Sequence, residues 1–138
     1  MAAIGLKTGY PTGHVYVVRG RYDFSKDGGA VGSIPLADPL PAGTYILSGV
    51  LEVDTALTSG GSATAAIQLE AANDLVNAAL LSAAPWSSST GRKAIIPAGT
   101  GSTSVRTTAA RTPTLVVATA ALTAGVFDLI LVCTQFPD

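Results

Sequence analysis

An all-β fold, an antiparallel β-sandwich or jelly roll with at most one short helix, is what this sequence predicts, and three observations carry the prediction. Short runs rich in Val, Ile, Thr, Leu and Tyr recur with apolar residues at every second position, the spacing that turns one side of a strand toward a core. Gly- and Pro-rich turn segments separate these runs at short intervals. No run with helical spacing is long enough to supply the crossover helices that a parallel α/β sheet needs.

The first strand follows His14 and runs Val15-Tyr16-Val17-Val18-Arg19-Gly20-Arg21-Tyr22, with a turn at Lys26-Asp27-Gly28-Gly29. Between Ile34 and Gly43 the residues Pro35, Pro39 and Pro41 exclude a helix and would remove ladder donors from a central strand, so an extended connector is expected. From Thr44 the pattern is period two, with Tyr45, Leu47, Leu51 and Val53 on one face and Ser48, Glu52 and Asp54 on the other. Thr58-Ser59-Gly60-Gly61 turns the chain, and Ala63, Ala65, Ile67 and Leu69 alternate with polar or small residues, which suggests a hairpin partner for the strand before.

Between Ala71 and Ala84, Leu75, Val76, Ala79 and Leu80 fall at helical spacing behind the possible caps Asn73 and Asp74, so a short helix or an irregular excursion is expected before Pro85-Trp86. Lys93 to Ile96 and Ser102 to Ala109 read as short strands, Pro113 to Ala121 as a longer one, and Val126 to Phe136 as the last. That last strand is apolar on both faces apart from Asp128, so it is either central or covered by a partner. At 138 residues the chain suits one domain, with residues 13–138 as the sandwich and Met1 to Thr12 as an arm too poor in apolar residues to form its own core.

Charged residues make up 12% of the chain and hydrophobic ones 48%, against about 25% charged in an ordinary soluble domain. Small uncharged residues must therefore face outward, which suits a surface that meets other proteins. The formal net charge is −1 and the eight basic residues are scattered, which argues against a nucleic-acid or anionic-membrane partner. The apolar stretch from Leu115 to Cys133 is interrupted by Gly125, Asp128 and threonines, and two strands around a turn account for it better than a membrane span. Met1 to Tyr10 lacks the apolar core of a signal peptide, so synthesis in a cytoplasm is expected.

Catalytic chemistry finds little support. His14, the only histidine, reads as a strand-entry residue, and Cys133 as a buried, inert thiol. With one Cys and one His the chain cannot fill a tetrahedral zinc site, and no cofactor is implied. Glu52 and Asp54, or Glu70, could serve a carboxylate hydrolase, but a solvated sheet face explains the first two more simply. Arg19 with Arg21, and Arg106 with Arg111, lie in no Gly-rich phosphate loop, and salt bridges across a subunit boundary are their expected use. Trp86 is expected to plug the core. With Tyr16 and Tyr22 it would be the stacking platform in a second reading, a tail or head-fibre module that binds host carbohydrate.

From Leu40 onward the succession Leu40-Pro41-Ala42-Gly43, Ala66-Ile67-Gln68-Leu69, Ala71-Ala72-Asn73-Asp74, Pro85-Trp86, Thr107-Thr108-Ala109-Ala110-Arg111 and Ala121-Leu122-Thr123-Ala124-Gly125 resembles small structural proteins encoded among tailed-phage head genes. Those proteins carry an alternating Ala-Ile-x-Leu strand end, an Asn-Pro-Trp-like loop, here with Ala84 in place of the asparagine, and a final hairpin turning at Leu-Thr-Ala-Gly. The resemblance implies a non-enzymatic virion protein, a capsid decoration or cement protein made in the bacterial host. It would bind the outer capsid surface, bridge neighbouring major capsid protein subunits and assemble as a homotrimer about a local threefold axis. The arm would then order against a neighbour.

Overall fold

A computed structural model describes residues 14–97 and 104–136; the arm predicted at Met1–Thr12 lies outside them. The order of elements is β1 (Val15–Asp23), α1 (Phe24–Asp27), β2 (Gly32–Pro35), β3 (Thr44–Ser59), β4 (Thr64–Gln68), β5 (Val76–Leu80), β6 (Arg92–Ile95), β7 (Val105–Arg106), β8 (Thr114–Ala118) and β9 (Leu122–Gln135). They form two antiparallel sheets, a β-sandwich as predicted. The long sheet has the order β1-β9-β3-β6, with β7 also on β3, and the short sheet the order β2-β8-β4-β5.

The core lies between the sheets. Tyr22, Leu51, Val53, Phe127, Leu129 and Leu131 come from the long sheet, Ala65, Ile67, Leu115 and Val117 from the short one, and each is at most 1% exposed. Trp86 joins them from a loop, its ring meeting Phe127 edge-on at 5.5 Å, while the Tyr22 ring lies tilted against Phe127 at 5.4 Å. The predicted core plug is therefore correct: Trp86 is 0% exposed.

Period two identified most of the strands, but it did not identify their partners. The expected hairpin of the strand from Thr44 with the one after Gly61 does not form: β3 pairs with β6, β7 and β9, and β4 pairs with β5 and β8. The turn after Ser59 carries the chain from one sheet to the other. Alternation records which side of a strand is buried and nothing about its neighbour. Likewise β8 and β9 follow each other yet belong to different sheets, and Leu122-Thr123-Ala124-Gly125 opens β9 instead of turning a hairpin.

Two local devices also differ from expectation. In β3 the register slips between Ile46 and Ser48, so Ile46 is buried at 2% while Leu47 is 49% exposed; a bulge reverses the phase that plain alternation assigned. Between Ala71 and Ala84 the chain forms β5 and turns, not a helix. The Asp74 carboxylate accepts backbone N–H bonds from Leu69, Glu70 and Ala71 at 2.8, 2.9 and 2.8 Å, and Asn73 sits at φ 61°. These are the turn-forming habits of Asx side chains, so the residues that looked like helix caps close a β4–β5 hairpin. The one helix among the described residues is the single turn α1. It is capped by Asp23, whose Oδ1 accepts from Ser25 N–H at 3.0 Å. The Pro-rich connector begins as β2, where Pro35 is tolerated because the strand is at a sheet edge.

The long strands β3 and β9 bend together around Gly125. At φ 143° it is outside the range of L side chains, and an added Cβ would stand 2.7 Å from Leu57 Cγ. A Gly125→Ala variant is expected to lose about 3 kcal/mol of stability, since strain and overpacking combine. Urea denaturation checks this, and a loss below about 1 kcal/mol would show that the bend relaxes freely.

Candidate functional site: the outer face of the long sheet and the clasp beside it

The outer face of the long sheet is built from rows that the strand register fixes. One row runs Arg21, Asp128, Glu52, Arg92 across β1, β9, β3 and β6. Two residues along, the row is Arg19, Ile130, Val50, Ala94, and beyond it Val17, Val132, Ser48. Like the register, the side-chain bonds follow the first row: Arg21 Nη1 donates to Asp128 Oδ1 at 2.9 Å and to Asp54 Oδ2 at 3.3 Å, and Arg92 Nε donates to Glu52 Oε2 at 3.1 Å. Pairs this exposed contribute little to stability, but they hold a strip of paired charge beside an apolar one. Val15, Val17, Leu47 and Val50 are 61%, 58%, 49% and 40% exposed.

The short sheet contrasts with this. None of its four strands, GSIP, TAAIQ, VNAAL and TLVVA, contains an ionisable residue.

Glu52 and Asp54 thus lie together on an open, solvated face and are each engaged by an arginine. Arg21 and Arg111, expected to bridge subunits, form ion pairs within the chain, Arg21 as above and Arg111 with Glu70. Arg19 is exposed in the apolar row, and Arg106 lies over the Tyr45 ring with its guanidinium carbon 5.5 Å from the centroid. His14 is exposed and immediately precedes β1. Cys133 is 0% exposed, and burial pushes its thiol up to about 11, which keeps it protonated and unreactive at neutral pH. Trp86 and Tyr22 are both fully enclosed; Tyr22 donates its hydroxyl to Gly28 O at 2.7 Å, and burial drives its pKa up to about 12. Neither can stack on a sugar.

Among the described residues no cluster of His, Cys, Asp or Glu is arranged to hold a metal ion, and no helix is long and apolar enough to cross a membrane. A surface depression of about 260 Å³ is lined by Gly61, Ser62, Ala63, Leu80, Leu81 and Ser82, which include no titratable side chain.

Two of the segments that carry the sequence resemblance, Leu40–Gly43 and Thr107–Arg111, meet each other and Glu70. Leu40 bridges Arg111, and its N–H donates to Arg111 O at 2.6 Å. The buried Thr44 and Thr107 hydroxyls both donate to Pro41 O at 2.7 Å. Glu70, just past β4, receives Arg111 Nε on Oε1 at 2.9 Å and Arg111 Nη2 on Oε2 at 3.2 Å, and Thr108 donates its N–H and its hydroxyl to the same carboxylate at 3.1 and 2.7 Å. The sequence did not reveal this clasp, because its members are 38 and 41 positions apart. Thr108 and Arg111 belong to one of the resembling motifs, but Glu70 falls between two of them and carried no such signal.

The Arg111 and Thr108 hydrogen bonds hold the Glu70 carboxyl down at about 2. A folded-state value below the unfolded one stabilises the protein above the unfolded pKa, and that contribution disappears as pH falls from about 4.5 toward 2. Glu70→Gln should therefore cost about 1–2 kcal/mol at neutral pH, with the deficit against wild type vanishing near pH 2. Denaturation midpoints at the two pH values check this; a deficit independent of pH would remove the carboxylate from the explanation.

No protein-family model matches the chain, and no curated protein matches it. Solved structures do. The fold is similar to a chain of the cyanophage Pam1 capsid asymmetric unit, with TM-score 0.62, 19% identity and coverage of 99% of this chain and 93% of that one. It is similar to a chain in the capsid of Ralstonia phage GP4, with TM-score 0.62, 18% identity and coverage of 100% and 92%. A chain in the acid-stable capsid structure of Helicobacter pylori bacteriophage KHP30 matches with TM-score 0.60, 14% identity and coverage of 88% and 87%. At these identities the likeness is one of fold, and it runs through nearly the whole of each chain.

Proposed function

We propose that this chain is a structural protein of a phage virion, without catalytic chemistry of its own, that binds the outside of the capsid as a cement or decoration protein and bridges neighbouring major capsid protein subunits. The observation that carries the reading is the end-to-end likeness of fold to chains from three phage capsid structures. The surface is in keeping with it. Arg21, Asp54, Asp128, Glu52 and Arg92 on the long sheet's outer face are paired with one another on an open surface, and the exposed valines beside them offer area to bury. Interfaces of this kind work through contact area with a few anchoring residues and need no reactive group.

On this reading the apolar row through Val50 and Ile130 seats on the shell, and the arm at Met1–Thr12 is a second contact. The protein, mixed with shells that lack it, should co-sediment. Val50→Lys should bind at least about tenfold more weakly while its melting temperature stays within a few degrees of wild type, since Val50 projects outward from β3. Deleting residues 2–12 should lower shell occupancy with the fold intact. Failure of the wild-type chain to pellet with shells would overturn the reading.

A further inference from the structure

Sheet edges are where this molecule is unevenly protected. β2 is four residues long and ends in Pro35; β5 has five residues and a register irregularity; β6 has four and carries Arg92 and Lys93. Short strands, proline, irregular register and charge are the features that keep a sheet edge from pairing with another chain. β1 is the exception. It has nine residues in unbroken register with β9, and its segment Val15–Arg19 has no proline, no bulge and one charge.

The direction of its free groups can be read from one bond. Arg21 N–H donates to Leu36 O at 3.0 Å, away from β9. Because successive residues of a strand alternate, the N–H and C=O of Val15, Val17 and Arg19 point to that same open side. Among the described residues nothing pairs with them there. Leu36 closes the upper part of the edge, leaving three consecutive outward positions free.

We infer that this edge is a self-association surface, and that its occupant is the β1 edge of a second copy of this chain, antiparallel about a twofold axis through Val17. Self-complementarity selects the partner and the register. With Val17 opposite Val17 of the second copy, Val15 faces Arg19 and Arg19 faces Val15, so each copy's three free positions form two hydrogen bonds apiece. The two Arg19 residues then lie four positions apart along the ladder, about 13 Å, beyond the screening length of about 8 Å at physiological salt. Centring the axis on Arg19 would set two arginines directly opposite, and centring it on Tyr16 would leave Arg19 unpaired. The chosen register also joins the exposed Val15 and Val17 of both copies into one apolar strip, continuous with Ile130 and Val132. The result is a single sheet running through two molecules, a closed twofold pair in place of the threefold assembly that the sequence resemblance implies.

This inference needs no shell, so its test is independent of the proposed capsid role. Light scattering on the purified full-length chain should give the mass of two copies. Val17→Cys should form a disulfide-linked dimer in air, since directly opposed residues of a hydrogen-bonded pair have Cα atoms about 5.5 Å apart, whereas Val15→Cys should not. The native Cys133, buried and protonated, does not interfere. Val17→Pro should give a monomer with an unchanged β-sheet circular dichroism spectrum, because the lost N–H faces away from β9. A wild-type mass of one or three copies, or equal cross-linking through positions 15 and 17, would overturn the inference.

Discussion

The position of β9 between β1 and β3 is the constraint on which the rest of the molecule depends. Its alternate residues Phe127, Leu129, Leu131 and Cys133 are at most 1% exposed, and both its edges are hydrogen-bonded along most of their length. A strand so placed cannot slip by one residue without turning four core side chains out into water. Because β9 fixes the register of β1 and β3 at once, it also fixes which outer residues stand in line. The strip of Arg21, Asp128 and Glu52 and the apolar rows beside it are read out from a register that the core sets.

The short sheet and the loops complete that core with different chemistry. Trp86 seats between Phe127 and its surroundings from a loop, and Asp74 replaces a stretch of strand pairing by gathering three backbone donors on one carboxylate. The clasp of Glu70 with Thr108 and Arg111 closes a chain path that begins at the Pro-rich connector. Segments that would otherwise be long and irregular are thereby tied to the ends of strands.

Legibility from the sequence divides along the range of the interactions. Most of the strands, the core position of Trp86 and the inert Cys133 follow from alternation and composition, which are local or collective properties; the same properties left the last strand either central or covered by a partner, and the structure makes it central. The partner of β4, the exposure of Leu47 and the role of Asn73 and Asp74 do not. The first depends on which sheet the chain enters after Ser59. The second turns on one bulge, and the third on whether three amides converge on a carboxylate. Arg21 and Arg111 looked available for other subunits because their counter-charges, Asp128 and Glu70, are 107 and 41 positions away. The charged rows of the outer face were out of reach for the same reason, since a row exists only once four strands are in register.

The absence of ionisable residues from all four strands of the short sheet has a consequence for crowding. Like-charged surfaces brought side by side accumulate repulsion that rises as salt falls, whereas a wall of alanine, threonine, serine and valine does not. Another surface brought against this wall at low ionic strength therefore meets no charge on its strands, and shape and hydration govern the approach.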